Sequence, residues 1–411
     1  LTSIPASIAI LLGLSIPALV LGRSVFAITV ALSILLILYD LPFKKLREDF
    51  RSIWLSPLGL CLLCVFLLSI PSIFASDFSF RSFEALSRTF VFCCMGLIVW
   101  SYLHAKTDLV PVLLNSLVIS AILLVGFSFL CQFYWPELYW FVHLKGWSSE
   151  PLDLTLKGYA ATAVLIFPLL VLAFTQMSRP LSGLALIAAA GFLILVLILE
   201  NRAAIAGILG LLICFCIAIG LRTVSKTRIM IASGIIATSF AGTMIWLRIS
   251  RGRMVGLAPE GDYFLPVWLL DFERQTIWLH AIKIAWVKPW FGRGPNTINF
   301  APGADQLLEG THGLHVIPAH PHNWAVELFA EIGGIALVLL LIFLLISALR
   351  MFQEYRRHGD LKYLSAIAIY AGYWSSGLFN FSFWSAWWQL AFLLSMAFSL
   401  SISSLKPGAP K

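Results

Sequence analysis

The 411-residue chain is 60% hydrophobic and only 12% charged, with a mean hydropathy of +0.92. That composition excludes a string of soluble domains and predicts an all-α, polytopic membrane protein. The formal net charge of +8 would suit nucleic acid if the basic residues formed a stripe, but they are spread over many loops, so no nucleic-acid partner is expected.

Apolar runs of about twenty residues predict twelve spans. They fall near residues 3–22, 25–39, 53–75, 88–104, 109–133 and 158–176, then 183–199, 204–221, 229–247, 321–347, 362–381 and 384–404. The first run continues into the second without a small-residue cleavage pattern, so it reads as a span and not as a signal peptide. All seven cysteines (Cys61, Cys64, Cys93, Cys94, Cys131, Cys214 and Cys216) lie inside these runs. A thiolate is costly there, so even Cys61-x-x-Cys64 reads as packing and not as a redox pair.

Lys and Arg in short loops are retained in the cytoplasm. Lys44, Lys45, Arg47 and Arg51 mark one such loop, Arg222, Lys226 and Arg228 a second, and Arg350, Arg356, Arg357 and Lys362 a third. All share a side with the tail lysines Lys406 and Lys411, and that side is expected to be cytoplasmic. The outer side then receives the 134–157 loop, the tight turn holding Arg202, and a long segment before residue 321. The chain divides into residues 1–247 with helices one to nine, a large periplasmic segment with helices of its own over 248–320, and residues 321–411 with the last three helices and a short cytoplasmic tail. Six of the eight histidines (His143, His280, His312, His315, His320 and His322) and most of the tryptophans, Trp147 among them, fall outside.

Within the outer segment, Asp271 to Val287 reads as a helix, with Asp271 as N-cap and Pro289 as its stop. Arg274, Trp278, Ala281 and Ala285 share one face of it. The following Pro289-Trp-Phe-Gly-Arg-Gly-Pro295 is a turn, whose Gly292 and Gly294 read first as backbone punctuation. Next comes His320-Pro321-His322-Asn323-Trp324. A proline suits the first turn of a helix, so a helix start is expected at about Pro321. His322 and Asn323 then lie in the first turn, where unpaired N–H groups and the helix dipole favour an anion such as phosphate. Glu327 and Glu331 follow Asn323 at four-residue steps, so the three line one stripe of a continuous helix. Both acids are expected to be structural, neutralising arginines from neighbouring helices. Arg202 has a bland alternative, snorkelling toward headgroups, and Arg274 another, an exposed helix charge.

Asn201-Arg202-Ala203-Ala204-Ile205-Ala206-Gly207, then Arg274 with Trp278, Ala281, Pro289, Gly292 and Gly294, then His322-Asn323 followed by Glu331-Ile332-Gly333, resemble in type and order the motifs of the bacterial O-antigen ligase and polymerase superfamily. The resemblance covers roughly residues 150–350. Members commonly have serine where Asn201 stands. The resemblance implies a twelve-helix, GT-C-like glycosyltransferase of the bacterial inner membrane, with its site facing the periplasm. It implies a polysaccharide donor linked through pyrophosphate to undecaprenol and, for the ligase, an acceptor sugar hydroxyl on the lipid A-core oligosaccharide.

The residues can be read toward that chemistry on their own. Pyrophosphate leaves well only when its charge is neutralised, and no DxD, HExxH or clustered acid set in the sequence offers a divalent metal. No cofactor is therefore expected. Arg202 and Arg274 are candidates to hold the pyrophosphate, because guanidinium forks bind phosphate oxygens in pairs and keep their proton. His322 and Asn323 are expected to join them. His322 is also the candidate general base for the attacking hydroxyl, and a phosphate-donor role for it stays open. Direct displacement would invert the anomeric centre. His320, Glu327, Glu331 and Trp278 are expected to support the site. A repeat-unit polymerase or a protein O-oligosaccharyltransferase of the same superfamily is the nearest rival, and a secondary transporter is the rival from another class.

Overall fold

Wherever an apolar run was long enough to span a bilayer, the chain is helical. The computed structural model describes residues 3–144, 152–222, 226–251, 263–308, 313–379 and 381–402. Lys406, Lys411, Trp147 and His312 lie outside the described residues. In chain order the helices are α1 (Ile4–Ser15), α2 (Arg23–Asp40), α3 (Phe43–Trp54), α4 (Pro57–Phe74), α5 (Ser79–Ala105), α6 (Val110–Phe133), α7 (Pro136–Val142) and α8 (Leu152–Ala161). They continue with α9 (Ala163–Gln176), α10 (Arg179–Ile198), α11 (Arg202–Arg222), α12 (Lys226–Arg251), α13 (Phe272–Val287), α14 (Trp324–His358), α15 (Leu361–Ser376) and α16 (Ala386–Ser401). Among the described residues seven helices are long and apolar enough to cross a membrane, and an eighth crossing is made if the bent pair α8 and α9 counts as one. The protein is an all-α, polytopic membrane protein.

Each of the twelve expected spans overlaps a helix, but two of those before α14 are interrupted and one expected loop is helical. The first run is broken, with α1 ending at Ser15 and a 3-10 turn over Pro17–Leu21. The 158–176 run bends by 49° between α8 and α9, at Thr162, whose hydroxyl donates to Tyr159 O at 2.7 Å instead of leaving the helix bonds undisturbed. The basic stretch Lys44 to Arg51, expected as a loop, is the amphipathic helix α3. Its buried Asp49 accepts from Lys45 at 2.7 Å and from Ser101 of α5.

Two close approaches set the positions of Arg202 and of the turn after α13. Helix α11 lies along α15, and a Cβ on Gly207 would fall 2.6 Å from Val164 and 2.9 Å from the Gly372 carbonyl. Small residues of this kind let membrane helices touch backbone to backbone, so the end of α11 that carries Arg202 is fixed against its neighbours. The second approach breaks α14. Gly333 has φ 78 and ψ 171, outside the helical region. The turn after α13 fills the gap: Arg293 and Gly294 N–H donate to the carbonyls of Ala330 and Glu331 at 3.0 and 2.9 Å, and Gly334 N–H donates to Pro289 O at 2.7 Å. A Cβ on Gly333 would lie 2.3 Å from Trp290 O. The continuous helix expected over 321–347 is therefore a short helix before Gly333 and a long one after it, joined at a crossing that only glycine backbone permits.

Candidate active site

The sharp turn between α10 and α11 puts Glu200 at φ 47 and turns the Asn201 side chain onto α11 and α8. Its Oδ1 accepts from Ala204 N–H at 3.0 Å, capping α11, while its Nδ2 donates to Lys157 O at 2.6 Å. Asparagine and serine are both strong caps, which accounts for Asn201 in a position where serine is usual in the resembling proteins. Arg202 follows at the mouth of α11, and its Nη1 donates to Asp271 Oδ2.

Asp271 sits at the N-cap position of α13 but makes no side-chain cap bond. Its carboxylate is turned to the arginines instead, with Arg274 Nε 3.9 Å from the same Oδ2. Arg202 and Arg274, 72 positions apart by subtraction of their numbers, thus address one carboxylate oxygen. Burial, with the like charge of Arg202 adding to it, pushes Arg274 down to about 10. That still leaves the group charged at physiological pH. The sequence pattern flagged both arginines and missed their partner; an acid three residues before Arg274, on the same helical turn, was the available signal.

One turn along α13 from Arg274 stands Trp278, whose indole N–H donates to Pro321 O at 2.9 Å. That bond holds the His320–Asn323 segment against α13. The rings of His320 and His322 lie 4.3 Å apart at 55°, and both residues are half-buried. Beside α11, an apolar cavity of about 430 Å³ lined by Leu197, Ile205, Ile208 and Trp246 begins one turn from Arg202. Two guanidinium groups, an imidazole pair and an apolar cavity are thus assembled around α11, α13 and the start of α14, an arrangement suited to an anionic group carried on a lipid.

Residues 164–341 match the family described as O-antigen ligase. This stretch is similar to that family. It contains Arg202, Asp271, Arg274, Trp278, His320, His322, Asn323, Glu327 and Glu331. Curated relatives named "Putative polysaccharide ligase" occur in Rickettsia typhi, 25% identical over 128 residues, and in Rickettsia prowazekii, 23% identical over 123 residues. The matched stretch spans 29% of this chain and 29% of the length of each relative.

Inside the matched stretch three expectations are corrected. The helix starts at Trp324 and not at about Pro321, because Asn323 is the N-cap and outcompetes the proline rule. His322 precedes it in the left-handed region at φ 56. The helix start is also closed to an anion: Trp324 N–H donates to Gly377 O, Ala325 and Val326 N–H to Asn323 Oδ1, and Glu327 N–H to Asn323 O. With its first four N–H groups taken, this terminus offers a phosphate nothing beyond the dipole, and the Asn323 side-chain oxygen is committed to its own helix. Third, Glu327 and Glu331 are buried on one stripe as expected, yet their partners are not arginines. Glu327 accepts from Ser382 Oγ and Phe383 N–H, each at 2.6 Å. Glu331 accepts from the backbone N–H groups of Asn296, Thr297 and Ile298 at 2.8, 2.7 and 2.9 Å and from the Trp384 indole. Backbone donors satisfy a buried carboxylate without bringing in a second buried charge. The two acids tie the 296–298 and 382–384 segments to the part of α14 before Gly333.

Proposed function

We propose that this chain is an O-antigen ligase: it transfers a polysaccharide from undecaprenyl pyrophosphate to a sugar hydroxyl of lipid A-core at the periplasmic face of the bacterial inner membrane. The observation that carries the reading is the convergence of Arg202 and Arg274 on one oxygen, one helical turn from the tryptophan that holds the His322 segment. Polyprenyl pyrophosphate has an anionic head and an apolar tail. The guanidinium pair suits the head, and the cavity lined by Ile205 and Ile208 suits the beginning of the tail.

In this reading the acceptor oxygen bonds to the anomeric carbon as the bond from that carbon to the phosphate oxygen breaks. The hydroxyl proton passes to His322, and the pyrophosphate leaves on its polyprenol with the electron pair. Arg202 and Arg274 neutralise the charge that develops there, which speeds departure without a proton transfer to the leaving group. Attack opposite the leaving group inverts the anomeric centre. Trp278 fixes Pro321 and so aims His322.

A deletion strain tests the assignment. Long polymer stranded on undecaprenol beside bare lipid A-core is expected, and the purified chain in lipid nanodiscs should join the two. Core carrying a single repeat unit in the deletion strain would make the chain a polymerase, and unaltered lipopolysaccharide would overturn the reading altogether.

A further inference from the structure

Asp271 occupies the point on which the two arginines converge, and it does so against its local preference. An aspartate at the N-cap position ordinarily turns its carboxylate onto the first N–H groups of its helix. Here no such bond is made. The backbone before it is held in place from another direction. Gln275 is fully buried; its Oε1 accepts from Leu265 N–H at 3.0 Å, and its Nε2 donates to the carbonyls of Leu265 and Leu270, each at 2.9 Å. The segment ending at Leu270 is therefore stapled to α13 from within, and the carboxylate that follows is presented to Arg202 and Arg274.

We propose that Asp271 is an internal competing anion, a positioning residue that keeps the Arg202 and Arg274 guanidinium groups converged, yields their common point to the donor's pyrophosphate, and reclaims it as the pyrophosphate product departs. The inference rests on the assignment of the arginines to pyrophosphate given above. Two cations held together without a counter-anion repel, and a carboxylate between them offsets that repulsion. A pyrophosphate carries more charge and more acceptor oxygens than a carboxylate and so can displace it. The same carboxylate then weakens the hold on the product, which favours release. Removing its charge should tighten the binding of pyrophosphate and slow turnover together, whereas a merely structural ion pair would loosen both.

The test uses inorganic pyrophosphate as the probe, titrated calorimetrically against the full chain in lipid nanodiscs, together with donor kinetics. The variants are Asp271→Asn and Asp271→Ser, both of which keep a good N-cap, Asp271→Glu, which keeps the charge, and Arg274→Ala. The two neutral variants should bind pyrophosphate about tenfold or more tighter, the scale of coupling between close charges. Asp271→Asn should lower both KM for the donor and kcat, and Asp271→Glu should stay near the parent. Equal or weaker binding by both neutral variants, with binding lost in Arg274→Ala, would overturn the proposal and leave the arginines as the pyrophosphate site. Undiminished binding by Arg274→Ala would instead remove the arginine assignment and the proposal with it. If neither neutral variant folds, Asp271 is a folding requirement and the proposal also falls.

Discussion

Replacing Glu331 by glutamine removes one carboxylate oxygen from a position where both are in use. Oε1 accepts from Thr297 and Ile298 N–H, and Oε2 from Asn296 N–H and the Trp384 indole. Whichever way the glutamine amide turns, its NH2 meets two donors, so two hydrogen bonds to a charged group are lost. Such bonds contribute about 1.5–3 kcal/mol each, so the local loss is about 3–6 kcal/mol. At about 1.4 kcal/mol per factor of ten, the 296–298 segment should open about 10² to 10⁴ times more readily. Hydrogen exchange followed by mass spectrometry on a peptide covering residues 293–299 reads this directly, with the α6 amides as an internal reference. Exchange in Glu331→Gln within about twofold of the parent would refute the reasoning: the segment would then be held by something other than this carboxylate.

Arg202→Lys and Arg274→Lys should each fail to restore full transfer, because a point charge does not reproduce a fork. The corresponding alanine variants should lose roughly thirtyfold to several-thousandfold, about 2–5 kcal/mol; near-normal rates in folded Arg→Ala protein at both sites would return the arginines to snorkelling. His322→Gln should lower the transfer rate by about a hundredfold to ten-thousandfold while donor binding persists, with His320→Ala milder. A close-to-normal rate in His322→Gln would make His322 a positioning group. Single cysteines at exposed Leu314 and Arg357, in a cysteine-free background, should label at Leu314 and not at Arg357 when an impermeant thiol reagent is applied to intact spheroplasts; the reverse pattern would invert the topology.

The spans were legible because a run of apolar residues announces a helix wherever its neighbours lie. What stayed hidden was nonlocal. The break at Gly333 leaves no mark in the hydropathy of α14, since the freed carbonyls of Ala330 and Glu331 are satisfied by a turn from another part of the chain. Pro321 and Asn323 gave competing local signals for the helix start, and the side-chain cap prevailed over the proline. Asp271 was legible as the start of α13, but a cap rule weighs only the residues that follow it and is blind to an arginine 69 positions earlier. The acids on α14 were legible as buried and paired, while their partners were not, because backbone N–H groups have no signature in a sequence.

The crossing of the 289–294 turn over Gly333 has a consequence for biogenesis. The ribosome delivers the turn before it delivers the helix the turn completes. Until the turn docks, the carbonyls at residues 330–331 lack the donors that meet them in the folded chain, and unpaired backbone groups are poorly tolerated in hydrocarbon. The bend at Gly333 is thus completed only when both segments have been made, and disrupting the 289–294 turn should leave the start of α14 less protected against hydrogen exchange.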